Sequence, residues 1–432
     1  MTQKEALAIL EDGHNVLLTG PAGSGKTFLL NQYVAFLKKN GVGVAITAST
    51  GIAATHIGGR TIHSWAGIGI KDSLSATDIK NLTKKTYLKN QFQKVEVLVI
   101  DEISMLHAHR LDMINFVCQA FKKNFLPFGG MQVIMSGDFF QLPPISPGSG
   151  EAEFVYKSDI WKNMDLRICY LDEQYRHNDQ KMIKVLSSFR QNKVDGEIVK
   201  ILGDRINKKP KNNIKPIRLF THNIDVDAIN EAELQKISSP EFPYQMSSEG
   251  DKKLTESLIK NCLAPQTLIL KKGALVMFVK NKFKDEKTVY VNGTMGTVVA
   301  FGEKNWPIVS LNSGEEILVT PDAWTIDDDG AVLAKITQIP LRLAWAITVH
   351  KSQGMTLEAA EIDLSRSFGY GMGYVALSRL KSLEGLYLSG INDMAYKLDP
   401  QVFAYDQELL LLSEEAKNNT KPRLHKKQKT LL

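Results

Sequence analysis

Residues 20–27, Gly-Pro-Ala-Gly-Ser-Gly-Lys-Thr, decide the fold of this chain, because they match the phosphate-binding pattern G-x-x-x-x-G-K-[ST] at every fixed position. The apolar run Val16–Leu18 before them predicts a buried strand, and residues 28–37 after them predict a helix. In that setting, backbone N–H groups can surround a triphosphate, and the helix N-terminus adds a partial positive charge. An ordinary glycine-rich turn is the alternative, and the flanking strand and helix make it the weaker one.

The loop assigns chemical roles to its side chains. The Lys26 ammonium would reach the β- and γ-phosphates, and the Thr27 hydroxyl would be a ligand of Mg²⁺. ATP and Mg²⁺ are therefore the expected cofactors. The residues of this segment that are expected to hold the nucleotide are Gly20, Pro21, Ala22, Gly23, Ser24, Gly25, Lys26, Thr27 and Phe28.

Three further apolar or β-branched runs follow the loop, at residues 42–47, 95–100 and 131–136, with helical patterns between them. This alternation predicts a parallel sheet with helices on both faces. Ligands of such sheets bind at the carboxyl ends of the strands. Polar motifs stand at those predicted ends, at residues 20–27, 48–54, 101–104 and 137–144.

Two of these motifs carry candidate catalytic groups. Asp101 and Glu102 end an apolar strand, where Asp101 can hold Mg²⁺ and Glu102 can act as the general base for an attacking water. An Asp-Glu pair in a solvated turn is the alternative, which the preceding phosphate loop disfavours. Gln141 could sense the γ-phosphate, but a proline-stiffened loop explains its motif equally well.

Phosphoryl transfer also needs positive charge at the transition state, usually an arginine. The first-domain motifs offer only Lys26, so Arg176 and Arg379 are the best candidates. Both lie beyond a domain boundary that we predict at residues 159–165. If they serve, the nucleotide lies in a cleft between two domains. A surface ion pair is the alternative role for either arginine.

Composition limits the class of protein. A chain of 432 residues allows two to four domains, and no apolar stretch approaches the ~18–20 residues of a membrane span. The first residues lack a secretory apolar core, so we expect a soluble protein, cytoplasmic in a prokaryote or virus and nuclear in a eukaryote. The cysteines, Cys118, Cys169 and Cys262, are too scattered to indicate a zinc site or disulfides.

The net charge of +6 comes from the end of the chain. The predicted basic tail, residues 413–432, carries Lys417, Lys421, Arg423, Lys426, Lys427 and Lys429. Such a tail either binds polyanions through counterion release or is a solvated end that keeps the protein soluble. The sequence leaves both open, so global charge does not decide whether nucleic acid binds.

As a set, the motifs resemble those of superfamily 1B DNA helicases, and among them the Pif-type helicases. The deciding stretches are Leu111-Asp112, residues 127–132 ahead of Gly137-Asp138, and residues 340–348 ahead of His350. The matching segments are residues 20–27, 50–54, 101–104, 137–144, 349–356 and 375–379. The chain departs from the family signature after Asp112, where Lys122 and Lys123 replace the expected arginines.

The expected fold class is α/β. The resemblance implies two RecA-like P-loop NTPase domains with a small wedge insertion and an SH3-like β-barrel insertion, and the sequence itself shows breaks in pattern at both insertions. The predicted boundaries are residues 1–64 and 91–162 for the first domain, 65–90 for the wedge, 163–270 and 340–412 for the second domain, and 271–339 for the barrel.

The resemblance further implies a 5′→3′ translocase that moves on single-stranded DNA, unwinds 5′-tailed duplex, works as a monomer and serves replication, repair or recombination. Gln3 would read adenine, and Gly354 would contact the nucleotide. The implied DNA contacts are Thr50, Gly51, Thr61, His63, Ser64, Trp65, His350, Lys351, Ser352, Gln353 and Thr356. Trp65, Phe139 and Phe140 could stack on bases or belong to the core, and we expect core for Phe139.

Two other functions fit many of the same motifs. One is a RecD- or relaxase-type helicase subunit of a larger complex, although the sequence shows no histidine triad and no second acidic metal cluster. The other is a nucleotide-gated switch that binds DNA without unwinding it. Glu102 argues against the switch, because such proteins often lack a competent base.

Overall fold

The structure is a computed structural model. It describes residues 1–69, 71–144, 153–176, 179–210, 216–220, 226–284, 287–328, 331–349 and 351–419. Within these residues, no helix has both the length and the apolar character that crossing a membrane requires. The described chain forms two α/β units, each built on a parallel sheet, and a β-rich insertion within the second unit.

The first unit contains a parallel sheet of six strands in the order β3-β2-β4-β5-β1-β6. The strands are β1 (Asn15–Thr19), β2 (Val44–Ala48), β3 (Arg60–Thr61), β4 (Val97–Asp101), β5 (Gln132–Ser136) and β6 (Leu166–Tyr170). The predicted strands are confirmed as β1, β2, β4 and β5. Strand β4 is buried along its whole length, which explains its uninterrupted apolar run.

Helices cover this sheet, and they position its polar ends. They are α1 (Gln3–Glu11), α2 (Lys26–Lys39), α3 (Gly51–His56), α4 (Ile62–Trp65), α5 (Ala76–Thr83), α6 (Thr86–Lys94), α7 (Ala108–Lys122) and α8 (Asp159–Asn163). A capping box between Thr2 and Glu5 fixes the start of α1, directly before Gln3. Helix α2 follows Gly25, whose left-handed backbone (φ +84°) turns the chain from loop to helix.

The predicted domain boundary at residues 159–165 is wrong. Strand β6 lies beyond it, yet β6 pairs with β1 from Asn15–Leu166 to Thr19–Tyr170 and forms the edge of the first sheet. An apolar run predicts a strand, but it carries no information about which sheet the strand joins. The first domain therefore extends past Tyr170.

The predicted wedge is also placed differently by the structure. Trp65, its first residue, is 1% exposed and lies against Phe92, with ring centroids 4.6 Å apart. Helices α5 and α6 follow, and they pack on α7 through buried residues that include Leu82 and Leu88. The segment begins within the core of the first domain, so its boundary at residue 65 is wrong.

Beyond the first sheet, the chain forms α9 (Gln180–Arg190), α10 (Gly196–Gly203), β7 (Ile217–Phe220) and α11 (Val226–Gln235). The insertion follows, with β8 (Phe242–Gln245), β9 (Ser247–Gly250), α12 (Lys252–Asn261), β10 (Thr267–Leu270), β11 (Leu275–Phe278), β12 (Lys282–Lys284), β13 (Lys287–Tyr290), β14 (Met295–Phe301), β15 (Pro307–Leu311), β16 (Glu316–Leu318), β17 (Asp322–Asp328), β18 (Ala331–Gln338) and β19 (Leu341–Leu343). Its main sheet has the order β16-β15-β14-β11-β19 and is antiparallel.

The four strands predicted for the barrel are confirmed as β11, β14, β15 and β16. The predicted limits of the barrel, residues 271–339, are too narrow. Strand β19 lies beyond them and pairs with β11, while β8 pairs with β10 and β9 pairs with β18. The polar composition of residues 241–261 hid this, because β9 is exposed along its whole length.

The second parallel sheet then closes with β20 (Ala346–Thr348), β21 (Ala360–Leu364), α13 (Met372–Ser378) and β22 (Leu386–Ile391), in the strand order β20-β7-β21-β22. Helix α14 (Pro400–Asn419) returns to the first sheet and packs on β6. The 3₁₀ turns are Ile103–Met105, Pro127–Gly130, Val155–Lys157, Glu303–Asn305, Leu383–Gly385 and Asp393–Tyr396.

Helix α14 corrects the predicted end of the second domain at residue 412. The backbone N–H of Tyr170 donates to Ser413 Oγ (3.1 Å), and the Tyr170 hydroxyl donates to Asp406 Oδ1 (2.9 Å). Both bonds fasten α14 to the edge strand of the first domain. Of the predicted basic tail, residues 413–419 are part of α14, and the rest lies outside the described residues.

Candidate nucleotide and DNA site

The phosphate loop is packed so closely that two of its glycines admit no side chain. A Cβ at Gly20 would lie 2.3 Å from the carbonyl O of Leu171, and a Cβ at Gly23 would lie 2.6 Å from the Cβ of Arg176. Both positions also have left-handed backbone conformations. The segment after β6 therefore borders the phosphate loop and brings Arg176 next to it.

Lys26 is held over the loop. Its Nζ donates to the carbonyl O atoms of Gly20 (2.8 Å) and Pro21 (3.0 Å). Burial lowers the pKa of Lys26 to about 8, although the carboxylates of Asp138 and Glu102 oppose this shift. A bound triphosphate would supply the negative charge that this buried ammonium lacks, so the site is suited to an anionic ligand.

The two acidic residues stand where the sequence places them. Asp101 ends β4 and is buried, and the Glu102 backbone N–H donates to Asp101 Oδ1 (2.9 Å). Burial raises the pKa of both carboxyls, and for Glu102 the value reaches about 7, with Asp101 as the second cause. A base with a pKa near neutrality is well matched to proton abstraction at physiological pH.

The residues present fit Mg²⁺. Thr27 is exposed in the first turn of α2 and offers a hydroxyl, and Asp101 offers a carboxylate. Hard oxygen donors of this kind are the ligands that Mg²⁺ takes, together with phosphate oxygens. In the same loop, Ser24 Oγ is buried and has no hydrogen-bond partner among the described residues, as expected of a site built for a further polar ligand.

Both predicted arginines lie at this cleft, Arg176 on the segment after β6 and Arg379 at the end of α13 in the second domain. Arg176 Nη1 donates to the carbonyl O of Ser378 (3.1 Å), and Arg379 Nη2 donates to Ser378 Oγ (2.9 Å) and Gln141 Oε1 (3.4 Å). Burial lowers the pKa of Arg176 to about 9, with Arg379 as the second cause, and burial also lowers the pKa of Arg379. Two guanidinium groups that are buried near each other favour an anion between the domains.

Gln141 connects the two sides of the cleft. It is 7% exposed, its Oε1 accepts from Arg379, and its Nε2 lies 3.5 Å from Asp138 Oδ2. Asp138 in turn forms an ion pair with Arg190 (2.7 Å). Arg190 was not among the predicted site residues. It ends an amphipathic helix and belongs to no recognisable sequence motif.

Two side chains lie against the phosphate loop at Ser24 and Gly25: Gln3, which was predicted, and Tyr175, which was not. Gln3 Nε2 lies within 3.4 Å of the Ser24 carbonyl and 3.5 Å of the Gly25 carbonyl. Tyr175 lies 3.3 Å from the position of a Cβ on Gly25, and its side chain is 57% exposed. Its place directly before Arg176 was the signal that could have identified it. Phe28, which was predicted, is 67% exposed on α2.

Gly354 is not brought to the nucleotide loop by any described contact. It follows β20 in a loop whose Thr356 N–H donates to the Asn292 carbonyl (3.4 Å), at the insertion. Gly354 itself is exposed, with a left-handed backbone (φ +74°). The prediction that Gly354 contacts the nucleotide therefore receives no support from the described structure.

The first-domain DNA candidates lie at two helix starts. Thr50 Oγ1 accepts from the Ala53 N–H, and Thr61 Oγ1 accepts from the Ser64 N–H, each at 3.3 Å. These caps orient the first turns of α3 and α4, as phosphate-binding segments require. Burial, with Arg110 as the second cause, lowers the pKa of His63 to about 4, so its imidazole is neutral near pH 7.

The prediction that Trp65 contacts DNA is wrong for the described structure, because its 1% exposure leaves no ring face on which a base could stack. Phe139 and Phe140 are likewise core residues, at 4% and 2% exposed, as expected for Phe139.

The predicted DNA contacts of the second domain differ in how exposed their side chains are. The prediction that Ser352 contacts DNA is wrong for the described structure, since Ser352 is fully buried and its hydroxyl donates to the Val349 carbonyl (2.7 Å). Lys351 is partly exposed and lies 3.6 Å from Asp227 Oδ2. Gln353 is 7% exposed, and its Nε2 has no partner among the described residues. His350 lies outside the described residues.

This arrangement has a phosphate loop and carboxylates on one α/β domain, Arg176 on the segment that leaves it and Arg379 on the next domain. It defines a P-loop NTPase that holds its nucleotide between RecA-like domains. The chain belongs to the PIF1-like helicase family. That family's profile matches residues 3–201, and the profile of "DNA helicase Pif1, 2B domain" matches residues 253–301, inside the insertion.

Relatives of known sequence support the assignment. The ATP-dependent DNA helicase Pif1 of Psychrobacter sp. is 43% identical, over 96% of this chain and 72% of the relative. The human ATP-dependent DNA helicase PIF1 is 37% identical, over 93% of this chain and 62% of the relative. The chain therefore spans less than two thirds of the length of the human relative.

Solved structures agree in fold. A Pif1 from Bacteroides sp. in complex with ADP-AlF4 is 30% identical and aligns with a TM-score of 0.82, covering 96% of this chain and 97% of the other. Bacteroides Pif1 bound to single-stranded DNA, with the same identity and coverage, aligns with a TM-score of 0.63. The described conformation is thus more similar to the ADP-AlF4 complex than to the structure described as bound to single-stranded DNA.

Proposed function

We propose that this protein hydrolyses ATP between its two RecA-like domains and uses the cycle to move 5′→3′ along single-stranded DNA, unwinding duplex ahead of it. Its family membership makes it an ATP-driven DNA helicase. The observation that carries the mechanism is the convergence of Arg176 and Arg379 on a site whose other groups, Lys26, Asp101 and Glu102, come from the first domain.

The chain's own groups divide the chemistry among them. Backbone N–H groups of residues 23–27 and the Lys26 ammonium hold the phosphates. Thr27 and Asp101 would hold Mg²⁺, which neutralises charge on the β- and γ-phosphates when bound. Glu102 takes a proton from the attacking water while the water oxygen bonds to the γ-phosphorus. The bond from that phosphorus to the bridging oxygen breaks, and ADP leaves.

The arginines link hydrolysis to movement. Buried guanidinium groups without an anion are unfavourable, so a γ-phosphate between the domains draws the second domain inward. Its loss after hydrolysis removes that attraction. Gln141 touches Arg379 on one side and Asp138 on the other, so it would report the state of the nucleotide to both domains.

DNA would be held across both domains by hydroxyl, amide and loop N–H groups rather than by many fixed charges. The candidates that remain partly exposed are Thr50, Gly51, Thr61, His63 and Ser64 on the first domain, and Lys351 and Thr356 on the second. Such contacts release easily, which a stepping motor requires. Closing and opening the cleft would change the spacing between the two sets.

We further propose that one copy is a complete motor, because every nucleotide-site residue argued above comes from a single chain. Related Pif1 structures include a complex described as two coordinating helicases at forked duplex DNA. Unwinding rates measured against protein concentration would test this. Rates per molecule that stay constant support a monomer, and rates that rise steeply with concentration contradict it.

Polarity is tested by strand displacement on duplexes that carry either a 5′ or a 3′ single-stranded tail. We expect unwinding of the 5′-tailed substrate with ATP and Mg²⁺, and none of the 3′-tailed one. ATP turnover should rise at least tenfold when single-stranded DNA is added. Equal turnover with and without DNA, and no displacement, would instead indicate a nucleotide-gated switch.

A further inference from the structure

Helix α13 carries three groups that reach the cleft. Arg379, at its C-terminal end, meets Gln141, and the Ser378 carbonyl accepts from Arg176. Tyr374, one turn earlier on α13, is fully buried and has no role in the mechanism above. The position of α13 relative to the phosphate loop therefore sets the position of Arg379 and of the carbonyl that Arg176 bonds.

The Tyr374 hydroxyl contacts the first domain directly. It accepts from the Ala22 backbone N–H in the phosphate loop (3.4 Å) and from Arg190 Nη1 (3.2 Å), and it donates to Asp138 Oδ2 (3.3 Å). A phenolic hydroxyl has one hydrogen to donate and two lone pairs that accept, so every site on this oxygen is occupied. Burial raises the pKa of Tyr374 to about 12, so the donated hydrogen is kept at working pH.

The groups around this hydroxyl are themselves held firmly. Asp138 and Arg190 are buried and joined at 2.7 Å. Arg190 also donates to the Tyr170 hydroxyl (2.6 Å), lies 3.3 Å from Asp406, and stacks over the Phe140 ring at 4.4 Å. Short, charge-assisted bonds of this kind tie Asp138 to β6 and α14, so Tyr374 bonds to a fixed point of the first domain.

Farther along α13, Arg379 reaches the first domain through Gln141. Gln141 lies 3.4 Å from Arg379 and 3.5 Å from Asp138, so these bonds are weak and readily exchanged for a phosphate oxygen. The Tyr374 hydroxyl thus holds α13 through three bonds of 3.2–3.4 Å, whereas Arg379 meets Gln141 through one long bond that a phosphate oxygen can replace. Arg379 could bond a γ-phosphate without α13 losing its place at the phosphate loop.

We propose that Tyr374 is a positioning residue: its hydroxyl fixes α13 against the phosphate loop and thereby places Arg379 for the transition state. This inference rests on the proposed function. It predicts that removing the hydroxyl lowers the rate of the chemical step and leaves nucleotide binding nearly unchanged. If the hydroxyl only completed the hydrogen bonds of a buried region, its removal would lower the stability of the fold without lowering kcat selectively.

The test compares Tyr374→Phe with Tyr33→Phe, since both remove one oxygen from a buried ring. The Tyr33 hydroxyl contacts the Leu10 carbonyl (2.7 Å) and Gln132 Oε1 (2.9 Å) at the start of β5, at the opposite edge of the sheet from the strand ends that carry the site. With saturating single-stranded DNA, we expect Tyr374→Phe to keep KM for ATP within about twofold and to lose at least tenfold in kcat. Tyr33→Phe should keep kcat.

A third variant makes the test specific. Combined with Arg379→Ala, Tyr374→Phe should cost almost nothing further, because a residue that acts through Arg379 has no effect once Arg379 is gone. If the two substitutions lower kcat independently, so that their fold-losses multiply in the double variant, the proposal is overturned. An unchanged kcat in folded Tyr374→Phe would also overturn it. Thermal unfolding of each variant shows whether it is folded. Wild-type strand displacement, run in parallel, tests the proposed function separately.

Discussion

At the scale of single residues, the site works because its charged groups are buried without their natural partner. The pKa of Lys26 is lowered to about 8 and that of Glu102 is raised to about 7, in both cases chiefly by burial. Each shift means that burial makes the charged form costly. A bound nucleotide offsets that cost for the cations, and it leaves Glu102 poised as a base.

Glu102→Gln should reduce ATP turnover at least a thousandfold while ATP still binds, because the amide cannot take a proton from water. Turnover and nucleotide affinity measured together check this. Glu96→Gln is the matched control, since Glu96 is an exposed carboxylate just before β4. Turnover retained by Glu102→Gln would remove Glu102 from the role of base.

The pH dependence follows from the same carboxyl. Because the pKa of Glu102 is raised to about 7, a substantial fraction is protonated at neutral pH and cannot accept a proton. We expect kcat/KM to rise as pH increases through about 7 and then to level off. A profile that is flat from pH 6 to 8 would contradict the assignment.

At the scale of helices and strands, the sequence predicted the secondary structure of each segment better than the domain to which the segment belongs. Apolar runs before polar motifs identified β1, β2, β4 and β5, since a strand buried on both faces needs uninterrupted apolar residues. The same kind of run at β6 was assigned to the wrong domain, because its partner β1 lies about 150 residues earlier. Trp65 and Ser352 matched family positions, yet local packing buries both.

Helix α14 offers a prediction at this scale. Ending the chain before Pro400 removes Asp406 and Ser413, which bond to Tyr170, and it exposes the edge of the first sheet. We expect this truncated protein to unfold at a much lower temperature or to aggregate. The control ends after Asn419, which removes the last basic residues, and it should keep the wild-type unfolding midpoint. Equal midpoints for the two truncations would contradict a structural role for α14.

At the scale of the whole molecule, the insertion lies over part of the predicted DNA path. Helix α12 contacts α3, and a Cβ at Gly51 would lie 1.7 Å from Asn261 Oδ1. The related structure bound to single-stranded DNA is also less similar to this conformation than the ADP-AlF4 complex is. We therefore expect the insertion to move away from α3 when DNA binds. The sequence could not predict this contact, since it joins segments about 200 residues apart.

A disulfide between Gly51→Cys and Asn261→Cys would test that movement, in a background where Cys262 is replaced by Ser. The two Cβ positions are 2.6 Å apart, and an adjustment of about 1 Å brings them to the usual disulfide spacing. Oxidised protein should lose most of its affinity for single-stranded DNA and keep its DNA-independent ATP turnover. The reduced form of the same variant is the control. Tight DNA binding by the oxidised form would contradict the movement.

The central claim is that one nucleotide is held between two domains, with Arg379 of the second domain and Arg176 of the connecting segment completing the site of the first. The most direct measurement is a structure of this protein with ADP–aluminium fluoride and single-stranded DNA. The account predicts that the guanidinium groups of Arg176 and Arg379 both lie at hydrogen-bond distance, about 3 Å, from the fluoride atoms. Finding both guanidinium groups remote from the bound analogue, in a closed cleft, would contradict it.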